Sequence, residues 1–295
     1  MKIVLFGRNG QLGRRLLSAL SSLGPITAFD RKSCDISDRS QVKSALTQAS
    51  PDLVINAAAF TRVDEAEINP EACRLSNVDG PKNIALEAAV VGAALIHYST
   101  DYVFDGFSSK PYIETDAPNP QNVYGRRKLD GELAIQETGL PHIILRIGWL
   151  YSSDSSSFLS RVIQQFREKD EVSVIDDQIG APTSADFVAE MTYRLLEKSD
   201  QKPAAYISDK GGLYHLGCRG EATWFEFAGE ILKTMKQNEL PVATTNLRAI
   251  SSDTYPSTVK RPAYSKLNVD KWLKMFELEP MQWQDDLSRI MEHLE

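Results

Sequence analysis

Short β-branched runs alternate with longer helical stretches through the first half of the chain. Strand-like runs fall at Lys2–Phe6, Ile26–Phe29, Asp52–Asn56, Ala94–Ser99 and His142–Ile147. Helical patterns fill the intervals near Gln11–Ser22, Ser40–Gln48, Pro70–Val91 and Asn122–Glu137. Strands that alternate with helices of this length build βαβ units, because a parallel neighbour can be reached only by a crossover. The expected class is α/β, with a doubly wound parallel sheet, helices on both faces and ligands at the carboxyl ends of the strands.

Beyond Tyr151 the rhythm breaks. A serine-rich stretch, Ser152 to Ser157, leads to a helical pattern near Phe158–Glu168. Short strand patterns near Val172–Ile175 and Tyr214–Gly217 then mix with helical ones at Ser184–Lys198, Trp224–Lys236 and Trp283–Leu294. The expectation is a nucleotide-binding domain over 1–150 and a smaller, mainly substrate-binding α/β lobe over 151–295, some of whose segments return to the first domain. No repeat or heptad seam interrupts this division.

Composition narrows the partners. A net charge of −7 argues against nucleic acid, whose backbone needs clustered Lys and Arg. A small anionic ligand stays open, since a helix N-terminus can hold one. Cys34, Cys73 and Cys218 are odd in number and widely spaced, without a C-x-x-C pair, so no disulfide framework or zinc site is expected. The four histidines, His97, His142, His215 and His293, show no metal-ligand spacing and are read as structural. The first residues run straight into a strand, and no apolar run nears the ~20 residues of a membrane span. The expectation is a cytoplasmic protein that does not engage a membrane.

Between the first strand and the first helix lies Gly7-Arg8-Asn9-Gly10-Gln11-Leu12-Gly13. Glycines here let the chain turn sharply and let a pyrophosphate approach the helix N-terminus, as in a Rossmann-type dinucleotide site. Asp30, ending the second strand, is placed to hold adenosine ribose hydroxyls, or it is a turn residue. Arg8 and Arg31 are alternatives that would receive a 2′-phosphate, so NADPH or NADH is expected, with the preference open. The glycine spacing of three and three resembles the short-chain dehydrogenase/reductase superfamily, above all its extended branch that modifies nucleotide sugars. Asn56-Ala57-Ala58-Ala59 fits that resemblance as the segment beside the cofactor, although a tightly packed strand end would look the same.

Tyr124 and Lys128 form Y-x-x-x-K, a spacing that brings both to one helix face. A phenol with a pKa near ~10 exchanges protons poorly at neutral pH. A neighbouring ammonium is expected to draw it down and let Tyr124 protonate a carbonyl oxygen as hydride reaches its carbon. The fourth strand ends in Ser99-Thr100-Asp101, where a hydroxyl can hold the substrate oxygen. Read from the residues alone, this could equally be a turn or a cap. By the resemblance, Thr100 stands in for the usual serine of the reductase triad, giving Thr100, Tyr124 and Lys128 as catalytic residues.

Longer runs narrow the resemblance. Ser99–Gly106, Arg146–Tyr151, Thr61–Glu67, Asp177–Thr183 and Arg261-Pro262 are together similar to the dTDP-4-dehydrorhamnose reductase family over essentially the whole chain. That implies NAD(P)H-dependent reduction of the 4-keto group of dTDP-4-dehydro-L-rhamnose, the last step of dTDP-L-rhamnose synthesis. It also implies Asp101 and Trp149 against the sugar, Asp35-Ile36 near adenine, Ala57, Ala58, Ala59 and Thr61 along the dinucleotide, Ser99 near the nicotinamide and Lys128 on its ribose. Arg261 is a candidate for the nucleotide end of the substrate or a structural ion pair, and Trp149 also reads as core. Some members of the family dimerise through magnesium held by acidic residues, one just after the glycine loop. Arg14 and Arg15 stand there, and a cation cannot ligate Mg²⁺, so no metal is expected while a homodimer by another surface stays open.

Two other readings compete. A dehydratase or epimerase of the same superfamily would usually carry Asp-Glu directly after the threonine, whereas Tyr102 follows Asp101. A regulatory subunit of the methionine adenosyltransferase type would use the fold for binding alone, against which the complete Thr100, Tyr124, Lys128 set argues.

Overall fold

The computed structural model describes residues 1–154, 157–254 and 259–292. Five parallel strands carry the first half: β1 Ile3–Phe6, β2 Ile26–Phe29, β3 Leu53–Asn56, β4 Ala94–Thr100 and β5 His142–Ile147. They pair in the order β5-β4-β3-β1-β2, with Ile3 opposite both Ile26 and Leu53. A sixth strand, Gly212–His215, adds in parallel to the outer edge of β5, so the second half of the chain contributes to this sheet.

Side-chain alternation explains why both faces are covered. Ile3, Leu5, Leu53, Ile55, Ala94 and Ile96 enter one apolar cluster, which also holds Leu12 and Leu16 of helix α1, Gln11–Ala19, and extends through the second half to Trp283 and Leu287. The alternate residues Val4, Phe6, Val54, Leu95 and Ile144 enter a second cluster with Val42, Ile84 and Ile135 from three helices on the opposite face. Successive residues of a strand point to opposite faces, so continuous apolar runs mean burial on both sides. The doubly wound parallel α/β sheet expected from the sequence is therefore present.

The second half is built from shorter pieces. Glu171–Ile175 pairs in parallel with Asn246–Ile250, Leu150–Tyr151 pairs with Thr183–Ser184, and Ile179–Gly180 runs antiparallel to Ala222–Thr223. The helix Ala185–Glu197 packs on α1, and Arg15 reaches across to Asp186 at 3.0 Å and to Ser153 at 2.8 Å. Asp286 ties the pieces of the second half together from within. It is fully buried and accepts from the Ser184 backbone and hydroxyl and from Tyr151.

Differences from the expected elements have local causes. The single pattern Pro70–Val91 is divided into Pro70–Arg74, a π-helical turn at Leu75–Asp79, and Gly80–Val91. Pro81 has no N–H to return to the Asn77 carbonyl, and a wider turn absorbs the mismatch. The expected strand Tyr214–Gly217 begins earlier, at Gly212. The last helix is described over Trp283–Met291, and His293 and the end of its pattern lie outside the described residues. The first two of Ser155, Ser156 and Ser157 in the serine stretch also lie outside them.

Candidate functional site

The chain turns outward from β1 to β2 and then returns to place β3 on β1's other side. That reversal opens a crevice at the carboxyl ends of β1 and β3, where nucleotides bind in sheets of this kind. The glycine loop forms one wall. Gly7 has φ +91°, and a side chain on it would lie 2.5 Å from the Ala58 backbone nitrogen. A Cβ on Gly13 would fall 2.0 Å from the Gly7 carbonyl oxygen. The loop therefore lies directly against Ala57–Ala58, and α1 directly against the loop. Gly10 is the N-cap of α1 without a side-chain cap, and the first turn, with Gln11, Leu12 and Gly13, carries no acidic residue. Unclaimed N–H groups and the helix dipole make this end suited to a pyrophosphate.

The adenosine side is less open than the sequence suggested. One Asp30 oxygen accepts the N–H groups of Lys32 and Ser33 and the Ser33 hydroxyl, and the other accepts from Asn9 at 2.8 Å. The Ser33 bonds hold the carboxyl below its ordinary pKa. Asp30 is thus a turn residue, which was one of its two readings, and its charge also faces the loop. Arg31 lies 3.7 Å from Asp35, and Asp35 accepts from the Ser37 N–H and hydroxyl. Ile36 is buried against Gly80, where a Cβ would come within 2.5 Å of it. Ala59 and Thr61 follow β3 on the exposed surface.

The catalytic candidates converge where β4 ends. Asn122 caps the helix Val123–Gln136 by accepting the Gly125 N–H at 2.8 Å, while its amide donates to the Lys260 carbonyl. A Cβ on Gly125 would fall 2.1 Å from the Tyr102 carbonyl oxygen, so glycine alone lets this helix rest on the turn after β4. The result is a buried Tyr124 whose hydroxyl lies toward the Thr100 side chain and whose ring meets Tyr102 edge-on. Thr100 also accepts the Tyr102 N–H at 3.2 Å and donates to Asp101 at 3.1 Å, so the cap and the contact with Tyr124 coexist.

Lys128, one turn on, is almost fully buried. Its Nζ donates to the Tyr98 carbonyl at 2.6 Å and lies 3.4 Å from His97 Nε2. Burial lowers its pKa to about 8. The expected lowering of the Tyr124 pKa by Lys128 is not met in this structure. Burial pushes the phenol well above its ordinary value, because Nζ is turned to the β4 backbone and its charge does not offset that burial. Ser99 is likewise turned to the helix, where its hydroxyl donates to Glu132. Glu132 forms a 2.6 Å ion pair with Arg146, both side chains 2% exposed.

Next to Thr100, Asp101 is buried with one oxygen on the Thr100 hydroxyl, while the other makes no hydrogen bond of ordinary length. Burial raises this carboxyl to about 6, partly offset by the Ser265 and Thr100 side chains. Gly148 makes room for it, since a Cβ there would lie 2.9 Å from its oxygen. Trp149 follows with φ +47° and lies face to face with Trp224, ring centroids 3.6 Å apart. Arg261 pairs with Asp64 at 2.6 Å, in line with the ion-pair alternative.

Trp224, Glu132 and the capping Asn122 carry no functional motif in the sequence, and His97 reads there only as structural. Trp224 opens a helix behind the capping box Thr223–Glu226, and its ring stacks on Trp149. Among the described residues no group of three or more His, Cys, Asp or Glu lies together to hold a metal. No described helix is long and apolar enough to cross a membrane.

Crevice, uncapped glycine loop and buried tyrosine–lysine pair define the class as a nucleotide-binding α/β fold of the short-chain reductase kind. The model of the RmlD substrate binding domain matches residues 1–295. The dTDP-4-dehydrorhamnose reductase of Escherichia coli (strain K12) is 39% identical, covering 100% of this chain and 98% of that protein. A crystal structure of a dTDP-4-dehydrorhamnose reductase from Clostridium acetobutylicum superposes with a TM-score of 0.90 at 31% identity, covering 100% and 99%. One from Bacillus anthracis, in complex with NADP, gives 0.88 at 32%, covering 99% and 98%. The chain belongs to the dTDP-4-dehydrorhamnose reductase family.

Proposed function

We propose that this chain reduces the 4-keto group of dTDP-4-dehydro-L-rhamnose to give dTDP-L-rhamnose, using NADPH or NADH. The observation that carries this is Tyr124 and Lys128 buried one turn apart on the helix Val123–Gln136, in a chain that is homologous end to end with named reductases of that sugar. The relative from Bacillus anthracis was solved with NADP, and the uncapped α1 and the close fit of Gly7 and Gly13 suit such a cofactor. When bound, the dinucleotide supplies the hydride.

The chain's own groups do the rest. Gly7, Gly10, Gln11, Leu12 and Gly13 hold the pyrophosphate. Asp30, Asp35, Ile36, Ala57, Ala58, Ala59 and Thr61 border the adenosine side, and Ser99 reaches the nicotinamide side only by its backbone, its hydroxyl being on Glu132. Thr100 holds the substrate oxygen. Tyr124 gives that oxygen a proton, a step the raised phenol pKa does not hinder, since the tyrosine begins protonated and the alkoxide formed is the stronger base. Lys128 orients the cofactor ribose and handles the returning proton. Asp101 and Trp149 face the sugar, and Arg261, already paired with Asp64, closes the nucleotide end through that ion pair. The absence of an Asp-Glu pair after Thr100 favours plain reduction over dehydration. By this reading the enzyme is cytoplasmic, in keeping with three unpaired buried cysteines.

The test is NADPH consumption on mixing the protein with dTDP-4-dehydro-L-rhamnose. Wild type should oxidise the cofactor, and Tyr124→Phe should lose on the order of 10²-fold or more in kcat, the usual scale of general acid catalysis. No consumption with either nicotinamide would sink the reductase reading, and a Phe variant of nearly full activity would remove Tyr124 from its role.

A further inference from the structure

Behind Lys128 lies a buried polar chain that the reduction itself does not require. Asn56, at the end of β3, accepts the Ala58 N–H through Oδ1 at 3.1 Å. That fixes the orientation of its amide, because the reverse would set two donors against each other. Nδ2 is then the atom facing His97 Nδ1 at 3.1 Å, and it must donate. A neutral imidazole that accepts at Nδ1 carries its proton on Nε2. His97 is held neutral, its pKa driven well below the ordinary value by burial first and by Lys128 and His142 next. The Nε2–H therefore points at Lys128 Nζ, 3.4 Å away, while Nζ donates to the Tyr98 carbonyl.

We propose that His97 is a positioning residue for Lys128: with its proton set on Nε2 by Asn56, it presents a donor to Nζ and favours the amine form of the lysine. An ammonium there meets an opposing N–H, whereas an amine accepts from it. Two groups oppose this effect, Glu132 on the same helix and Cys73 on the helix Pro70–Arg74, and burial outweighs both. Each turnover of the proposed reaction takes one proton from Tyr124, and one must return from solvent. A lysine that switches between amine and ammonium near neutral pH can receive that proton and pass it on, with no net change in its own state. The consequence rests on the reductase reading, but the assignment of His97 does not.

The experiment reads the cofactor-free protein by long-range ¹H–¹⁵N NMR of the histidines and by titration of ¹⁵N-labelled lysine. In wild type, His97 should show the Nε2–H tautomer, and Lys128 should titrate near 8. Asn56→Ala frees Nδ1 to take the proton, so His97 should change tautomer and the Lys128 titration should rise by about one pH unit. His97→Gln, whose amide oxygen can accept from an ammonium, should raise it similarly, and the alkaline limb of kcat/KM should move up with it in both variants. A wild-type Nδ1–H tautomer, or a Lys128 titration unmoved in folded variants, would overturn the proposal. Turnover failing while the tautomer is as stated would count against the reductase reading instead.

Discussion

The Asp101 carboxyl is buried between Thr100 and the Gly148 backbone, and removal from water favours its neutral form. Its pKa rises from 3.8 to about 6, so the folded state binds this proton more tightly than the unfolded chain does. The linked stability is therefore complete below about pH 4 and is lost as pH rises through about 6. Asp101→Asn removes the charge and should leave stability unchanged at the acid end while raising it at pH 7 by roughly 2–3 kcal/mol. Urea unfolding of both proteins across that range checks this, and equal stability at pH 7 would contradict it. If the carboxylate meets the sugar as proposed, the same variant should turn over more slowly, which makes Asp101 a site where stability is given up for recognition. The sequence marked Asp101 by resemblance, but it could not show that one oxygen would lack a partner. That depends on how Gly148 and Ser265 close over it.

The helix Val123–Gln136 carries Tyr124, Lys128 and Glu132 at intervals of four, and all three are buried on the side facing the sheet. Its two ends are fixed by different means. Asn122 caps the first turn, and the Glu132–Arg146 pair ties a later turn to β5, the guanidinium also lying 5.1 Å over the Phe104 ring. Removing one member of a buried pair leaves the other charged and without its partner. Arg146→Met should therefore destabilise the protein by about 3–5 kcal/mol, and Glu132→Gln in the same chain should recover a large part of that. A single variant as stable as wild type in urea unfolding would show that the pair does not hold the helix. The Y-x-x-x-K spacing made the first two residues legible, because helical period alone sets them side by side. Glu132 and Arg146 lie on different elements, and no local pattern joins them. The same limit applies to Pro70–Val91: its apolar period was legible, while the π-helical turn at Leu75–Asp79 follows from the Pro81 mismatch and the packing of the Asn77 carbonyl against Gly131.

At the scale of the whole molecule, the parallel sheet was legible because both its faces are buried, which gives β1, β3 and the start of β4 nearly continuous apolar runs. The short strand pairs of the second half were not, since two-residue ladders such as Leu150–Tyr151 with Thr183–Ser184 are set by tertiary contacts and leave little pattern. The cofactor crevice could be read from Gly7 to Gly13. The Trp149–Trp224 stack could not, because it joins residues that only the folded chain brings together. What the assembled molecule is proposed to do is deliver one hydride to one carbon of one sugar nucleotide. The most direct measurement uses NADPH deuterated at the transferring position of the nicotinamide, dTDP-4-dehydro-L-rhamnose, and NMR of the product ring. The account predicts deuterium at C4 of a product with the rhamnose configuration. Deuterium at another carbon, a talose-configured ring, or no transfer from either face of the nicotinamide would contradict it.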